Sequence, residues 1–145
     1  MKKILSLATV YLILTKTALA HGENKFGPHE GYIRMPGSYH TELVQSHDDS
    51  FSVYLMDVNN KNPEVKNSSV KLTYINKNKS ISFTCFPIDD HFSCKPDEKI
   101  NSIKGKLIIN AIRLNVKSND AIYELPLKLA GDKKNEEKKH DMSKM

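Results

Sequence analysis

Between residues 38 and 130, apolar positions recur at every second residue. In 38–45, Tyr39, Thr41 and Leu43 fall on one side of an extended chain, and His40, Glu42 and Val44 fall on the other. Phe51, Val53 and Leu55 share a face of 51–58, and Val70, Leu72 and Tyr74 alternate with Lys71 and Thr73. Ile81, Phe83 and Cys85 alternate with Ser82 and Thr84, and Phe92 and Cys94 repeat the pattern after a short break. Ile108, Ile112, Leu114 and Val116 mark a strand over 107–116, and a last run covers 122–129. Turn-forming clusters divide these runs at His47-Asp48-Asp49-Ser50, 59–63, 76–78, Pro96-Asp97 and 117–120. No stretch keeps a 3.6-residue period over three turns. About seven strands of this kind predict an all-β, antiparallel fold, a sandwich or small barrel, with an immunoglobulin-like sandwich as the expected architecture.

The two cysteines, Cys85 and Cys94, sharpen one element of this fold. If Asp89-Asp90 is a two-residue hairpin turn, residues pair symmetrically about it: 88 with 91, 87 with 92, 86 with 93 and 85 with 94. Cys85 then faces Cys94 at a non-hydrogen-bonded pair, where side chains approach most closely. The same register turns the ring nitrogen of Pro87 outward, as an unpaired strand edge tolerates. A hairpin disulfide is expected, worth about 2–3 kcal/mol through its short loop.

An even cysteine count suits an oxidising compartment, and the N-terminus points the same way. Lys2 and Lys3 precede an apolar stretch from Ile4 to Leu14, and Ala18-Leu19-Ala20 forms a small-x-small cleavage pattern. The stretch is about half the roughly 20 residues that span a bilayer. Residues 1–20 therefore read as a cleaved signal peptide, and no later segment is long and apolar enough to cross a membrane. Removing 20 of the 145 residues leaves 125, and losing Lys2, Lys3 and Lys16 lowers the net charge from +5 to +2. That balance, with no dense basic cluster carrying aromatics, argues against nucleic-acid binding. Abundant Lys, Asn and Ile without Trp suit an AT-rich bacterial genome, which makes the expected compartment the periplasm. The mature chain then comprises an irregular His/Gly/Pro arm (21–37) with a short strand near Tyr32, a β domain (38–130) and a charged tail (131–145) expected to be disordered.

The candidate chemistry lies in the histidines. His21, His29, His40 and His47 fall close together, His91 sits in the cystine hairpin, and His140 in the tail. Cleavage after Ala20 makes His21 the first residue. Its α-amine and imidazole then chelate one ion through two nitrogens, and a second histidine completes a three-nitrogen set suited to Cu(II). His40 and Glu42 share a strand face about 7 Å apart, close enough for a carboxylate to ligate or to orient the imidazole. Met35, a thioether, would favour Cu(I). His140, Met142 and Met145 offer a loose auxiliary set in the tail.

Three segments also carry a resemblance. Pro28-His29-Glu30-Gly31-Tyr32, Gly37-Ser38-Tyr39-His40-Thr41-Glu42-Leu43-Val44 and Val53-Tyr54-Leu55-Met56-Asp57 resemble a pattern of a His-Gly-Gly turn, a Gly-x-x-His-x-Glu-Leu-Val strand and a Val-Tyr-Leu-x-Asp strand. This pattern is associated with small periplasmic domains found alone or on the periplasmic adaptors of heavy-metal efflux systems. Here His-Gly-Gly is His29-Glu30-Gly31, one departure. The resemblance covers residues 28–58 and implies a compact β domain of metal homeostasis, with copper as the ion, His29 and His40 as the matched histidines, Glu42 as the matched acid, and an efflux system or other envelope protein as partner.

Enzymatic chemistry finds no footing in the sequence. There is no nucleophile elbow, no lone cysteine, no Gly-rich phosphate loop and no placeable carboxylate pair. A copper oxygenase built on His21 is not expected from so small a domain. The expected function is an exported metal-binding protein that buffers or delivers copper. The alternative is a metal-free β-sandwich interaction module of the cell envelope, docking through a sheet edge or the arm.

Overall fold

The computed structural model describes residues 23–130. The segment read as a signal peptide, His21 and the charged tail lie outside the described residues. Nine antiparallel strands and no α-helix occur among those described. They are β1 (Tyr32–Arg34), β2 (His40–Gln45), β3 (Phe51–Met56), β4 (Ser69–Asn76), β5 (Lys79–Ile88), β6 (His91–Pro96), β7 (Gly105–Arg113), β8 (Val116–Lys117) and β9 (Ala121–Leu125).

The all-β antiparallel class is thus as the alternation predicts. The strand count is higher for a local reason. Leu114 and Asn115 take φ of 48° and 64°, so the run expected as one strand over 107–116 reverses, and Val116 pairs back on Arg113 as β8. The other addition is β1, the short strand of the arm.

The ladders follow the order β1-β2-β3-β6-β5-β4-β7-β8, with β9 pairing β7. The ten-residue β5 makes this path continuous: residues 79–82 pair with β4 and residues 83–88 with β6. The sheet therefore wraps round one core through a shared strand, closer to a barrel than to the two discrete sheets of an immunoglobulin-like sandwich.

The core holds Leu43, Val53 and Leu55 from one arm of the wrap against Leu72, Leu107, Ile109 and Tyr123 from the other, all fully buried. Two tyrosines tie the arms together. The Tyr39 hydroxyl donates to the Ala111 carbonyl at 2.8 Å. The Tyr123 hydroxyl donates to the Thr41 carbonyl at 3.0 Å and lies 2.8 Å from the Thr41 hydroxyl. Burial holds the Tyr123 phenol far above the ordinary tyrosine range, so it remains a neutral donor.

The cystine hairpin has the expected register. Ile88 pairs with His91, Pro87 with Phe92, Phe86 with Ser93 and Cys85 with Cys94, and the two cysteines are bonded. Because β4 leaves β5 after Ser82, the far edge of Pro87 has no ladder to interrupt.

The disulfide closes a short loop, nine residues apart in sequence, inside a well-paired hairpin. Replacing both cysteines, Cys85→Ser with Cys94→Ser, is expected to lower the unfolding free energy by about 2–3 kcal/mol in urea. The m-value should be almost unchanged, because the fold and its buried area are kept.

Candidate metal centre

β2 is covered on both sides. Its inward residues, Thr41 and Leu43, join the core, while His40 and Glu42 point to the opposite face and are still buried, at 1% and 0% exposure. Three consecutive polar side chains, His40, Thr41 and Glu42, thus lie out of water. Such groups are stable only with hydrogen-bond partners. Thr41 has the Tyr123 hydroxyl. The other two depend on the second face.

Strand pairing defines that face. Glu42 lies beside Ile33 of β1 and Tyr54 of β3, and His40 lies opposite Met56 of β3. The arm closes over the Glu42 row. Glu42 Oε1 accepts the backbone N–H groups of His29 and Gly31, each at 2.9 Å, and Oε2 meets His29 Nδ1 at 2.7 Å. With Glu42 as a carboxylate, Nδ1 carries the hydrogen of this contact. Gly27 and Gly31 make this approach possible. A Cβ on Gly27 would strike the Glu42 carboxylate, and one on Gly31 would strike the Leu43 carbonyl and the side chains of Val44 and Glu42. Between them, Glu30 takes φ 61°, in the left-handed region that favours glycine. The resembled His-Gly-Gly turn has glycine at that position.

The row continues across β3 and β6. The His29 ring stacks on Tyr54, with centroids 3.7 Å apart and planes within 6°. Tyr54 also packs against His91, 4.9 Å away, and His91 Nδ1 lies 3.3 Å from Asp90 Oδ1. Burial, then the charges of Asp90 and Glu42, raise the Tyr54 phenol above its ordinary value. His29 and His91 thus flank one neutral tyrosine, each with a carboxylate on Nδ1.

His40 is different. Neither its Nδ1 nor its Nε2 has a hydrogen-bond partner, although both atoms are buried. Each stranded polar atom of this kind costs on the order of 1–3 kcal/mol. Across the ladder stands Met56, itself fully buried, while the β1–β2 ladder ends at Arg34 opposite Thr41 and Met35 is the next residue after it. Met35 is half-buried, and its N–H donates to Glu23 Oε1 at 2.6 Å.

The structure therefore divides the candidate set. Glu42 and His29 bind each other, and His40 faces the Met56 thioether across the ladder. Among the described residues, no three His, Cys, Asp or Glu side chains converge as a metal site. His21, His140, Met142 and Met145 lie outside the described residues. Met56 and Tyr54 were not singled out by sequence reasoning. The signal for Met56 was available. The symmetry argument that pairs Cys85 with Cys94 also pairs residue 40 with residue 56, once Gln45 and Phe51 flank the turn at 46–50.

No family model matches the chain, and no curated protein or solved structure matches it either.

The Glu42 carboxylate is the arm's anchor, so Glu42→Ala is expected to destabilise the fold by about 2–4 kcal/mol, leaving two main-chain donors without their acceptor. Amide exchange should show the specific effect. Protection at His29 and Gly31 should fall well below that of β5 and β6, whereas in Glu42→Gln, which keeps one acceptor oxygen, it should be intermediate.

Proposed function

We propose that this chain is an exported, periplasmic metal-binding protein that buffers or delivers copper, alone or beside a heavy-metal efflux system. The observation that carries this reading is His40, a buried imidazole with both ring nitrogens unpartnered. A fold that keeps such a group against its cost has a use for the lone pair. Imidazole and thioether are ligands that copper accepts. The charged groups near His40 are engaged: Glu42 holds the arm, Glu23 accepts the Met35 N–H, and the Arg34 guanidinium donates to the Ile33, Ile122 and Lys128 carbonyls.

His21 adds a second element to this reading. Glu23 is held at Met35 by its carboxylate, so the chain leading into the arm is tethered at the edge of the His40 row. Cleavage after Ala20 would place an amine and imidazole chelate two residues before that tether.

A second reading, a metal-free envelope interaction module, is favoured by one feature. Ile112, Leu114 and Val116 are exposed together around the β7–β8 turn, at the end of the strand path.

Copper titration of the exported protein, its N-terminus fixed by mass spectrometry, decides between the two. The copper reading expects one tightly held equivalent, with a Kd below about 1 μM, and its loss in His40→Phe. A form with one extra residue ahead of His21 measures the amine's share: equal binding by both forms leaves the site to His40. Binding weaker than micromolar by every form, in either oxidation state of copper, would remove the copper reading and leave the interaction module.

A further inference from the structure

The geometry points to a three-donor site for a monovalent soft cation, Cu(I), formed by the His40 imidazole and the thioethers of Met35 and Met56. The inference rests on the copper reading above and deepens it by naming the ligands and the oxidation state.

Three observations carry it. The first is placement. His40 and Met56 are direct cross-strand partners on the face away from the core. Directly opposite residues hold their Cβ atoms about 4.5–5.5 Å apart, within reach of a methionine side chain. On the other side of β2 the ladder ends at Arg34 opposite Thr41, and extending it by one residue would set Met35 beside His40. One imidazole with two thioethers is a soft set, and soft donors select Cu(I) over harder divalent ions.

The second observation is charge. All three donors are uncharged when His40 is neutral, and two of them are fully buried. The cost of burying an ion rises with the square of its charge, so a divalent ion costs about four times as much as a monovalent one at equal size. A carboxylate ligand would offset part of that cost for a divalent ion. Of the two carboxylates near these donors, Glu42 is committed to the N–H groups of His29 and Gly31 and to the His29 ring, and Glu23 accepts the Met35 N–H through Oε1.

The third is access. His40 and Met56 are enclosed, whereas Met35 is half-buried just beyond β1. A flexible thioether at the rim would take the ion first and pass it to the enclosed pair.

Ag(I), a soft monovalent ion that needs no reductant and so spares the disulfide, is the first probe. Cu(I) held by a competing chromophoric chelator is the second. Met35→Leu and Met56→Leu keep the side-chain volume and are expected to fold normally. Met56→Leu should weaken both ions by more than the roughly 10–100-fold that loss of an outer-shell partner costs a metal site. Met35→Leu should weaken them less and speed exchange. A Met142→Leu/Met145→Leu double variant should bind as the parent does. Because variants can perturb folding, the parent protein gives an independent readout: the methyl resonances of Met35 and Met56 should shift on Ag(I) addition in step with occupancy.

Unmoved methionine methyls, or undiminished Cu(I) and Ag(I) binding in Met56→Leu, would overturn the soft site. The copper reading would survive that result if Cu(II) still bound and His40→Phe abolished it. No binding of copper in either state would overturn both.

Discussion

A single buried carboxylate lets a small β fold cover both sides of one strand. Glu42 stands on the face of β2 that turns away from the core, where an antiparallel sheet usually meets water. It stays buried because the arm brings it two main-chain N–H groups and an imidazole N–H, and charge-assisted bonds of this kind are among the stronger ones available to a protein. The arm in turn depends on Glu42. It has no apolar periodicity of its own, and its closest approach requires glycine at 27 and 31. His40, on the same face of β2, is buried as well.

That arrangement separates two roles that a strand reading alone merges. His29 and Glu42 form a latch, with the imidazole oriented by its carboxylate and stacked on Tyr54. His40 has no such support. It is the polar side chain of the face that the fold leaves without a protein partner, and its cross-strand neighbour is a thioether. The metal chemistry proposed here follows from that difference in hydrogen bonding between two residues of the same strand.

Much of the scaffold was legible in the sequence because it is written locally. Alternation assigned Tyr39 and Leu43 to the core and His40 and Glu42 to the other face. Symmetry about Asp89-Asp90 gave the cystine register pair for pair. Less legible was anything that depended on a distant, aperiodic segment. Glu42 reads as a possible solvent-face residue until the arm is known to fold back on it. Tyr54 and Met56 look like ordinary members of a strand until their partners across β2 are known. The split of β7 from β8 depends on positive φ at Leu114 and Asn115, which an apolar run does not advertise. The shared strand β5 reflects its length and a change of partner along it, and alternation is blind to both.

His40 is the residue on which the proposed metal chemistry depends. Long-range proton–nitrogen NMR resolves each histidine ring in the protein and reports both of its nitrogens separately, before and after one equivalent of Ag(I). The predicted result is a large shift at one ring nitrogen of His40, with the rings of His29 and His91 unmoved in their carboxylate contacts. A shift confined to His29, His91 or the histidines outside the described fold, with His40 unchanged, would contradict the assignment.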